Sequence, residues 1–322
     1  MKASLFAGAF AAVLCLSGPA AAAPAPATLT AIPLPADVSY PEGIAYDPSG
    51  QVFYTANAVD GTVAKVDLRT GQGTTLVKSG GLSPLVPGVF PVALGMKVDG
   101  RGRLWIAGGS TARVYVVNAR TGAVLANMEA KAPGSGTLND LVVTPTGVYV
   151  TDTRRPVLWR INPSPPFQPQ AWLDLSSSPI EYGQGANLNG IAATPDGRSL
   201  IVGHMSKGLI FHVDTVSKAI TPINIGGESL AAADGLVLDG RTLYVVRQAA
   251  GEVVAIAMAA DFKSGRVQAR LQDPRLMFPA TAAKAGDRLL VVNTQFNTRQ
   301  AGNATKPFTV LSVPLSRLNP PG

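Results

Sequence analysis

The sequence is poor in the residues that most metal and nucleophilic sites use. Its 322 residues include one cysteine, Cys15, and two histidines, His204 and His212. Cys15 falls in a segment that we predict to be removed, so the mature chain would carry no thiol and no disulfide. Two histidines cannot supply a three-ligand zinc site of a hydrolase without carboxylates, and their spacing is wrong for it. Thiol chemistry and a histidine-rich zinc site are therefore excluded.

Charged residues are also scarce, at 15% of the chain. The basic residues are scattered, with no run beyond Arg154-Arg155 and no interleaved aromatic residues, so a nucleic-acid partner is not indicated. Helical periodicity is nearly absent, apart from a weak signal at residues 229–233. The apolar run at residues 5–16 is too short to span a bilayer, so no membrane partner is predicted.

The N-terminus has the pattern of an export signal. Lys2 precedes the apolar run, and small residues follow up to Ala22-Ala23-Pro24. This order is typical of a secretory signal peptide with cleavage after Ala22. We predict a signal peptide at 1–22, a tether at 23–27 and one domain at 28–322. Export without a disulfide predicts a secreted protein, periplasmic or extracellular.

What the sequence does contain is a repeated β unit. Its fourth copy, residues 187–214, reads NLNGIAATPDGRSLIVGHMSKGLIFHVD, with a Pro-Asp-Gly turn between two apolar strands. Five imperfect copies surround it. Each copy has one shared position near its start, occupied in chain order by Glu42, Leu94, Asn139, Asn189, Asp234 and Ala280.

These positions recur at intervals of 45 to 52 residues. A period in this range with about four short strands per unit is typical of a β-propeller. The sequence therefore predicts an all-β, six-bladed β-propeller. The sixth copy has only three strands, while an extra strand at residues 28–32 precedes the first copy. We expect the N-terminal strand to pair with the last blade and close the ring.

The shared position carries the candidate chemistry. First strands line the central channel of a propeller, so Glu42, Asn139, Asn189 and Asp234 would form a ring at one mouth. Two carboxylates and two carboxamides make an all-oxygen site of charge −2, which suits a hard divalent cation and Ca²⁺ in particular. The alternative is that Asn-Gly and Asp-Gly only serve turns at the strand starts.

The same residues carry a resemblance to a known family. Glu-Gly, Asn-Asp, Asn-Gly and Asp-Gly at the heads of successive blades resemble the senescence-marker-protein/gluconolactonase (regucalcin-like) family of six-bladed propellers. The resemblance implies that Glu42, Asn189 and Asp234 bind a catalytic Ca²⁺ or related ion. It also implies that Asn139 touches metal or substrate and that Asp234 acts as base or nucleophile.

One position departs from the family pattern. Sugar-lactone hydrolases of this kind tend to carry arginine two residues before the Asn139 position, where this chain has Thr137. A gluconolactone-type substrate is therefore not implied, although the metal ligands are retained.

A second set of candidates comes from the ends of the second strands, which return to the same mouth. Among these residues we predict that Arg247 holds an anionic group of a substrate and that His204 shuttles protons. Each also has a structural alternative, a solvated arginine and a hydrogen-bonded loop histidine. The other strand ends carry Asn57, Asp152, Arg154 and Asn293.

Two functions remain open from the sequence. One is a metal-dependent hydrolase acting on lactones or similar esters, with a small-molecule substrate. The other is a non-catalytic propeller that binds a ligand or a protein partner and uses Ca²⁺ as a structural plug. The fold cannot decide between them, because propellers host both.

Overall fold

The computed structural model describes Met1 and residues 28–319 of the chain. These residues form six four-stranded antiparallel sheets whose first strands contact one another in a closed ring. The prediction of an all-β, six-bladed β-propeller is confirmed. The predicted tether at 23–27 and all of the predicted signal peptide except Met1 lie outside the described residues, as do the last three residues of the predicted domain.

The strands follow the chain blade by blade. The N-terminal strand is β1 (Thr30–Pro33). Blade 1 contains β2 (Pro41–Asp47), β3 (Val52–Asn57), β4 (Val63–Asp67) and β5 (Gly73–Val77). Blade 2 contains β6 (Met96–Val98), β7 (Arg103–Ala107), β8 (Arg113–Asn118) and β9 (Val124–Glu129). Blade 3 contains β10 (Leu138–Thr144), β11 (Gly147–Asp152), β12 (Val157–Ile161) and β13 (Pro169–Asp174).

The second half repeats the pattern. Blade 4 contains β14 (Leu188–Ala193), β15 (Ser199–His204), β16 (Leu209–Asp214) and β17 (Ile220–Pro222). Blade 5 contains β18 (Ala233–Asp239), β19 (Thr242–Arg247), β20 (Glu252–Met258) and β21 (Gly265–Gln272). Blade 6 contains β22 (Pro279–Ala285), β23 (Arg288–Asn293) and β24 (Thr309–Pro314). Two short 3₁₀ helices span Phe296–Thr298 and Leu315–Arg317. No helix in the described part of the chain is long and apolar enough to cross a membrane.

The ring is closed by the N-terminal strand. Strand β1 pairs antiparallel with β24, with Ala31 opposite Leu311 and Pro33 opposite Thr309. Blade 6 thereby obtains its fourth strand from the other end of the domain. The predicted closure is confirmed, and β24 is covered by β1 at the outer side of blade 6.

The core lies between the blades. Each pair of neighbouring blades encloses one apolar cluster, and the cluster between blades 1 and 2 includes Tyr54, Ile106 and Tyr115, all fully buried. The second strands are covered on both faces, as in β11, where all six residues are buried. Such strands read as continuous apolar runs because both faces meet a neighbouring sheet.

The inner strands approach one another closely around the axis. A Cβ atom added to Gly43 would overlap the carbonyl oxygen of Leu94, and one added to Gly190 would overlap that of Asp234. Gly43 also has a φ of 73°. Each of these glycines directly follows the shared ring position. The close packing of neighbouring blades therefore explains why glycine follows the polar residue in Glu-Gly, Asn-Gly and Asp-Gly.

The packing role of Gly43 can be separated from its backbone conformation. Gly43→Ala and Gly71→Ala both place an alanine at positive φ, 73° and 72°, but an added Cβ at Gly71 has nothing within 4 Å. We expect Gly71→Ala to lower the free energy of unfolding by about 1–2 kcal/mol through backbone strain alone. Gly43→Ala should cost clearly more, because Leu94 would have to move. Urea unfolding measures both, and equal losses would contradict the packing role.

Candidate metal centre in the central channel

A β-bulge places the ring residues. In blades 1, 3, 4, 5 and 6 the pairing of the first two strands shifts at the shared position, for example between Glu42 and Ile44 and between Ala233 and Leu236. A bulge adds a residue to one strand and re-aims its side chain. Here it recurs at one end of the channel, the end where the inner strands begin, which we call the upper end.

The residues that enter three of these strands hold an unusual backbone conformation. Tyr40, Ala232 and Phe278 lie two residues before the shared position, and their φ angles are 47°, 62° and 51°. Positive φ is unfavourable for non-glycine residues and persists only where the surroundings impose it. The same register in three blades indicates that the ring geometry imposes it.

Burial differs among the four predicted ligands. Glu42, Asn189 and Asp234 are each only 4% exposed, whereas Asn139 is partly exposed. Leu94 and Ala280, both buried, occupy the two other blades of the ring. Carboxylates at such depth are costly unless they are neutralised, hydrogen-bonded or bound to a cation.

The carboxyl groups act on one another electrostatically. Burial, and then the nearby charges of Asp234 and Asp140, raise the pKa of Glu42 well above its usual range, while Lys97 opposes the rise. Burial and the charge of Asp140 likewise raise the pKa of Asp234, and the Asn189 amide opposes this. The negative charge that these groups carry when ionised is therefore incompletely compensated by the protein itself, and the protonated forms are favoured.

Unsatisfied polar atoms concentrate around the channel. Among the described residues, seven buried side-chain nitrogen or oxygen atoms lack a hydrogen-bond partner. Four belong to the channel-lining positions or to the residue that follows a second strand: Glu42 Oε2, Asn139 Oδ1, Thr281 Oγ1 and Thr294 Oγ1. Such atoms are rare in folded proteins because each costs the free energy of its lost hydration. Unpaired oxygens beside carboxylates are what a cation site requires.

Asp140 is a cluster member that the sequence reasoning missed. It is 3% exposed and follows Asn139, at a register where the other blades carry Gly43, Gly95, Gly190, Gly235 or Thr281. Its Oδ1 accepts hydrogen bonds from the Leu141 amide at 2.8 Å and from Lys97 Nζ at 3.3 Å. The signal was present in the sequence, because blade 3 alone has Asn-Asp where a glycine is expected.

Gln248 is the second missed residue. Its Nε2 donates a 2.6 Å hydrogen bond to Asp234 Oδ2, which fixes the orientation of that carboxyl group. Gln248 follows Arg247, the last residue of β19. In blade 4 the equivalent residue is Met205, whose sulfur accepts a hydrogen bond from Asn189 Nδ2 at 3.2 Å. The residues that face the cluster thus lie one position beyond the predicted strand ends.

The predicted strand-end residues themselves have partners elsewhere. Arg247 forms a 2.6 Å ion pair with Glu252, and its Nε donates to the Ala231 carbonyl at 3.0 Å. His204 Nε2 lies 3.0 Å from the Glu181 carbonyl oxygen, and burial lowers the pKa of His204. Side chains alternate along a strand, so neighbouring residues face opposite sides. The substrate-binding roles of Arg247 and His204 stay predictions. The contacts described here stabilise the blades and their loops.

The remaining strand ends also serve structure. Asn57 and Asn293 bind loop backbone, and Asp152 accepts hydrogen bonds from the backbone around it and from Arg155 and Trp159. The amide of Arg154 is one of the donors to Asp152.

The donor set fits a divalent cation. The described residues contain no group of three histidine, cysteine, aspartate or glutamate side chains placed to hold a metal ion. The predicted set does not need one, because it combines the carboxylates of Glu42 and Asp234 with two amide oxygens. Asn139 Oδ1 is buried and unpaired, as a ligand atom would be. The Nδ2 of Asn189 donates a hydrogen bond to the sulfur of Met205. A half-turn of this amide would exchange its nitrogen and oxygen, so that the oxygen could serve as a ligand.

A cavity of about 230 Å³ lies in the channel below the cluster. Its walls are the later residues of the inner strands, among them Ile44, Val142, Ile191 and Leu236, and it also touches Lys97. The cavity is mainly apolar, and the carboxyl groups lie above it. The carboxyl groups and the cavity thus lie at different depths along the channel.

The raised carboxyl pKa values predict how stability depends on pH. A carboxyl group whose pKa is higher in the folded chain keeps its proton where the unfolded chain, with a pKa of about 4, has lost it. The stability that this proton contributes is complete below the pKa of the unfolded chain, about 4, and is lost as the pH rises through the pKa of the folded chain. We therefore expect the melting temperature of the chelator-treated protein to fall as the pH rises above about 4, and to fall less in Glu42→Gln. Glu181→Gln, an exposed carboxyl change, serves as the control and should leave the slope unchanged. Identical slopes for all three proteins would contradict the electrostatic account.

Comparison with known proteins supports the fold. No model of a protein family matches the sequence, and no curated protein matches it. The calcium-binding protein regucalcin from Agrobacterium tumefaciens is similar in structure, with a TM-score of 0.62 and 15% identity over 86% of this chain and 90% of that one. A gluconolactonase from Xanthomonas campestris has a TM-score of 0.61 and 16% identity over 89% and 88% of the two chains. The major allergen Mala s 1 of Malassezia sympodialis has a TM-score of 0.63 and 16% identity over 89% and 96%. The resemblance to gluconolactonase- and regucalcin-like propellers is thereby confirmed at the level of the fold.

Proposed function

We propose that the chain is a secreted, metal-dependent hydrolase of lactones or related esters, with a divalent cation, Ca²⁺, at the upper end of the channel. The observation that carries the proposal is the buried, unpaired Oε2 of Glu42 beside the buried carboxyl group of Asp234. The similar structures include one called a gluconolactonase and one called a calcium-binding protein, which agrees with this reading. Secretion rests on the signal peptide predicted from the sequence.

The ligands in this proposal are Glu42, Asn139, Asn189 and Asp234. All are oxygen donors, and two are carboxylates, which suits Ca²⁺ better than a soft metal. A bound cation of this kind would act as a Lewis acid on an ester carbonyl. Asn139 is partly exposed while its oxygen is buried, so it lies where an incoming ester would first meet the site.

Asp234 is the proposed base or nucleophile. Gln248 holds its Oδ2 at 2.6 Å, which leaves Oδ1 to face the reacting group. Gln248 is then a positioning residue, because it acts through Asp234.

The substrate class follows from the mouth of the channel. Thr137 is 7% exposed and stands where sugar-lactone hydrolases of the resembling family tend to have arginine. Leu94 and Ala280 are apolar ring members. An uncharged lactone or ester with an apolar side suits this mouth better than a gluconolactone-type substrate.

Hydrolysis can be tested with a panel of lactones, aryl esters and phosphotriesters, each with Ca²⁺ and with chelator. Activity that requires a divalent cation would support the enzyme. Tight Ca²⁺ binding with no turnover on any member would favour the other reading, a propeller with a structural cation that binds a ligand or protein partner.

The role of Asp234 can be tested by Asp234→Asn, which keeps the volume and an oxygen ligand but removes the base. We expect kcat to fall by on the order of 10²-fold or more at saturating Ca²⁺, the range for loss of a general base, while the fold is kept. Asp239→Asn is the matched control, because Asp239 lies at the other end of β18 and pairs with Lys284. Its kcat should equal that of the unchanged protein. Undiminished hydrolysis by Asp234→Asn would remove the proposed mechanism, and a lower melting temperature without loss of kcat would indicate a purely structural cation.

A further inference from the structure

Two connections at the upper end of the propeller are longer than the others. Residues 78–95 join β5 of blade 1 to β6 of blade 2, and residues 294–308 join β23 to β24 within blade 6. Among the described residues, the next longest connection at this end is 175–187. Long connections with little regular structure in a compact domain commonly carry function, because the strands do not need them for closure.

The two long connections meet through aromatic side chains. The rings of Phe90 and Phe296 are in edge-to-face contact, with their centroids 5.6 Å apart. The guanidinium carbon of Arg299 lies 3.7 Å from the centroid of the Phe90 ring, which is a cation–π contact. Both phenyl rings are partly exposed. We call these three residues the aromatic rim, and it offers fixed aromatic surface to a ligand.

The aromatic rim crosses one blade. Blade 1 lies between blades 6 and 2 in the ring, because β2 contacts both β22 and β6. Phe296 belongs to blade 6, whereas the backbone of Phe90 is fixed on blade 2, where its carbonyl oxygen accepts a 2.9 Å hydrogen bond from Ser110 Oγ. The contact between the two rings therefore spans the upper end of blade 1, the blade that carries Glu42.

On blade 6 the rim begins beside a residue of the channel mouth. Thr294 directly follows the last residue of β23, as Gln248 follows β19, and Phe296 comes two residues later. Between them, Gln295 donates to the Thr305 carbonyl at 2.9 Å and accepts from the Thr305 amide at 2.8 Å. The start of this long connection is thus held in place at the mouth.

On blade 2 the rim lies close to the exposed ligand position. A Cβ atom added to Gly109 would overlap the carbonyl oxygen of Pro91, the residue after Phe90. Gly109 also exchanges two backbone hydrogen bonds of 3.0 Å with Leu138, the residue before Asn139. Asn139 is the one predicted ligand that is partly exposed. A substrate that reaches Asn139 therefore approaches beside the aromatic rim.

From this geometry we propose that the aromatic rim determines specificity at the channel mouth and binds an aromatic group carried by the ester substrate. The proposal rests on the proposed function, since it names a substrate class for the same site. Phe90 and Phe296 contact the aromatic group, with which they can form offset or edge-to-face pairs that a small aliphatic ester cannot make. Arg299 is a positioning residue, because it acts through the ring of Phe90.

The test compares benzyl acetate with ethyl acetate, which share the reacting acetyl group, on the intact protein with Ca²⁺. We expect Phe90→Ala and Phe296→Ala each to lower kcat/KM for benzyl acetate about tenfold, mainly through KM, and to leave ethyl acetate within about twofold. Phe167→Ala is the matched control and should change neither value. Phe167 also packs edge-to-face, on Trp105, and lies near the Arg103 guanidinium, but it belongs to the connection between β12 and β13 at the opposite end of the blades.

The alanine variants could disturb the long connections, so milder changes supply a second decision. Phe90→Leu and Phe296→Leu keep an apolar side chain and should raise KM for benzyl acetate about threefold, with circular dichroism unchanged. Arg299→Gln should also raise this KM without changing kcat, and Arg299→Lys, which keeps the cation, should restore it. An unchanged KM in both leucine variants would overturn the proposal.

Binding gives a readout that does not depend on hydrolysis. 2-Naphthol is an uncharged aromatic compound at neutral pH and has no ester bond, so its dissociation constant can be measured by equilibrium dialysis in the presence of chelator. We expect Phe90→Ala and Phe296→Ala to weaken its binding about tenfold, and Phe167→Ala to leave it unchanged.

The outcomes separate the two proposals. Where the acetates are hydrolysed, a loss confined to benzyl acetate supports the rim, and equal effects on both esters overturn it while leaving the hydrolase intact. Where neither acetate is hydrolysed, 2-naphthol decides the role of the rim. Binding that depends on Phe90 and Phe296, with no lactone or ester hydrolysed, supports the rim and overturns the proposed function. Absence of both binding and hydrolysis overturns both.

Discussion

The close approach of six inner strands around one axis is the constraint on which the rest of the structure depends. Backbone meets backbone there, so that Gly43 and Gly190 have no room for a Cβ atom against Leu94 and Asp234. A regular ladder cannot turn so tightly at its end, and in five blades a bulge marks the point where pairing shifts. The bulge turns one side chain per blade toward the axis. The polar cluster is thus a consequence of how the ring is closed.

That origin explains which features could be predicted from the sequence. Glycines and turns recur with the blades, so the repeat fixes the blade number and the register of Glu42, Asn189 and Asp234. The closing strand could be predicted because the last unit lacks one strand. Asp140 and Lys97 could not be found in this way, because each differs from the residues at the same position of the other repeats. Aligning the repeats shows what they share and gives such differences no meaning. Their meaning emerges only when the two side chains are seen to meet at 3.3 Å.

The strand ends show a different kind of difficulty. Antiparallel pairing correctly returns each second strand to the upper end, but it does not say which residue faces the axis. With alternating sides, a shift of one residue exchanges a channel position for a blade position. Arg247 and His204 hold loops and ion pairs within their blades, while Gln248 and Met205 contact Asp234 and Asn189. Which of two neighbouring strand-end residues faces the axis therefore depends on the local geometry of each blade.

The arrangement couples stability to binding. Glu42 and Asp234 are buried without a full set of partners, and burial and then the neighbouring carboxyl charges disfavour their ionised forms. The large apolar clusters between the blades supply the stability that tolerates this. A ligand that binds the folded state returns part of the lost free energy, in proportion to its concentration relative to its dissociation constant. Lys97 returns another part permanently, because its charge belongs to the chain. Under the proposed function a bound cation would supply a second positive charge, and only that charge would respond to conditions outside the protein.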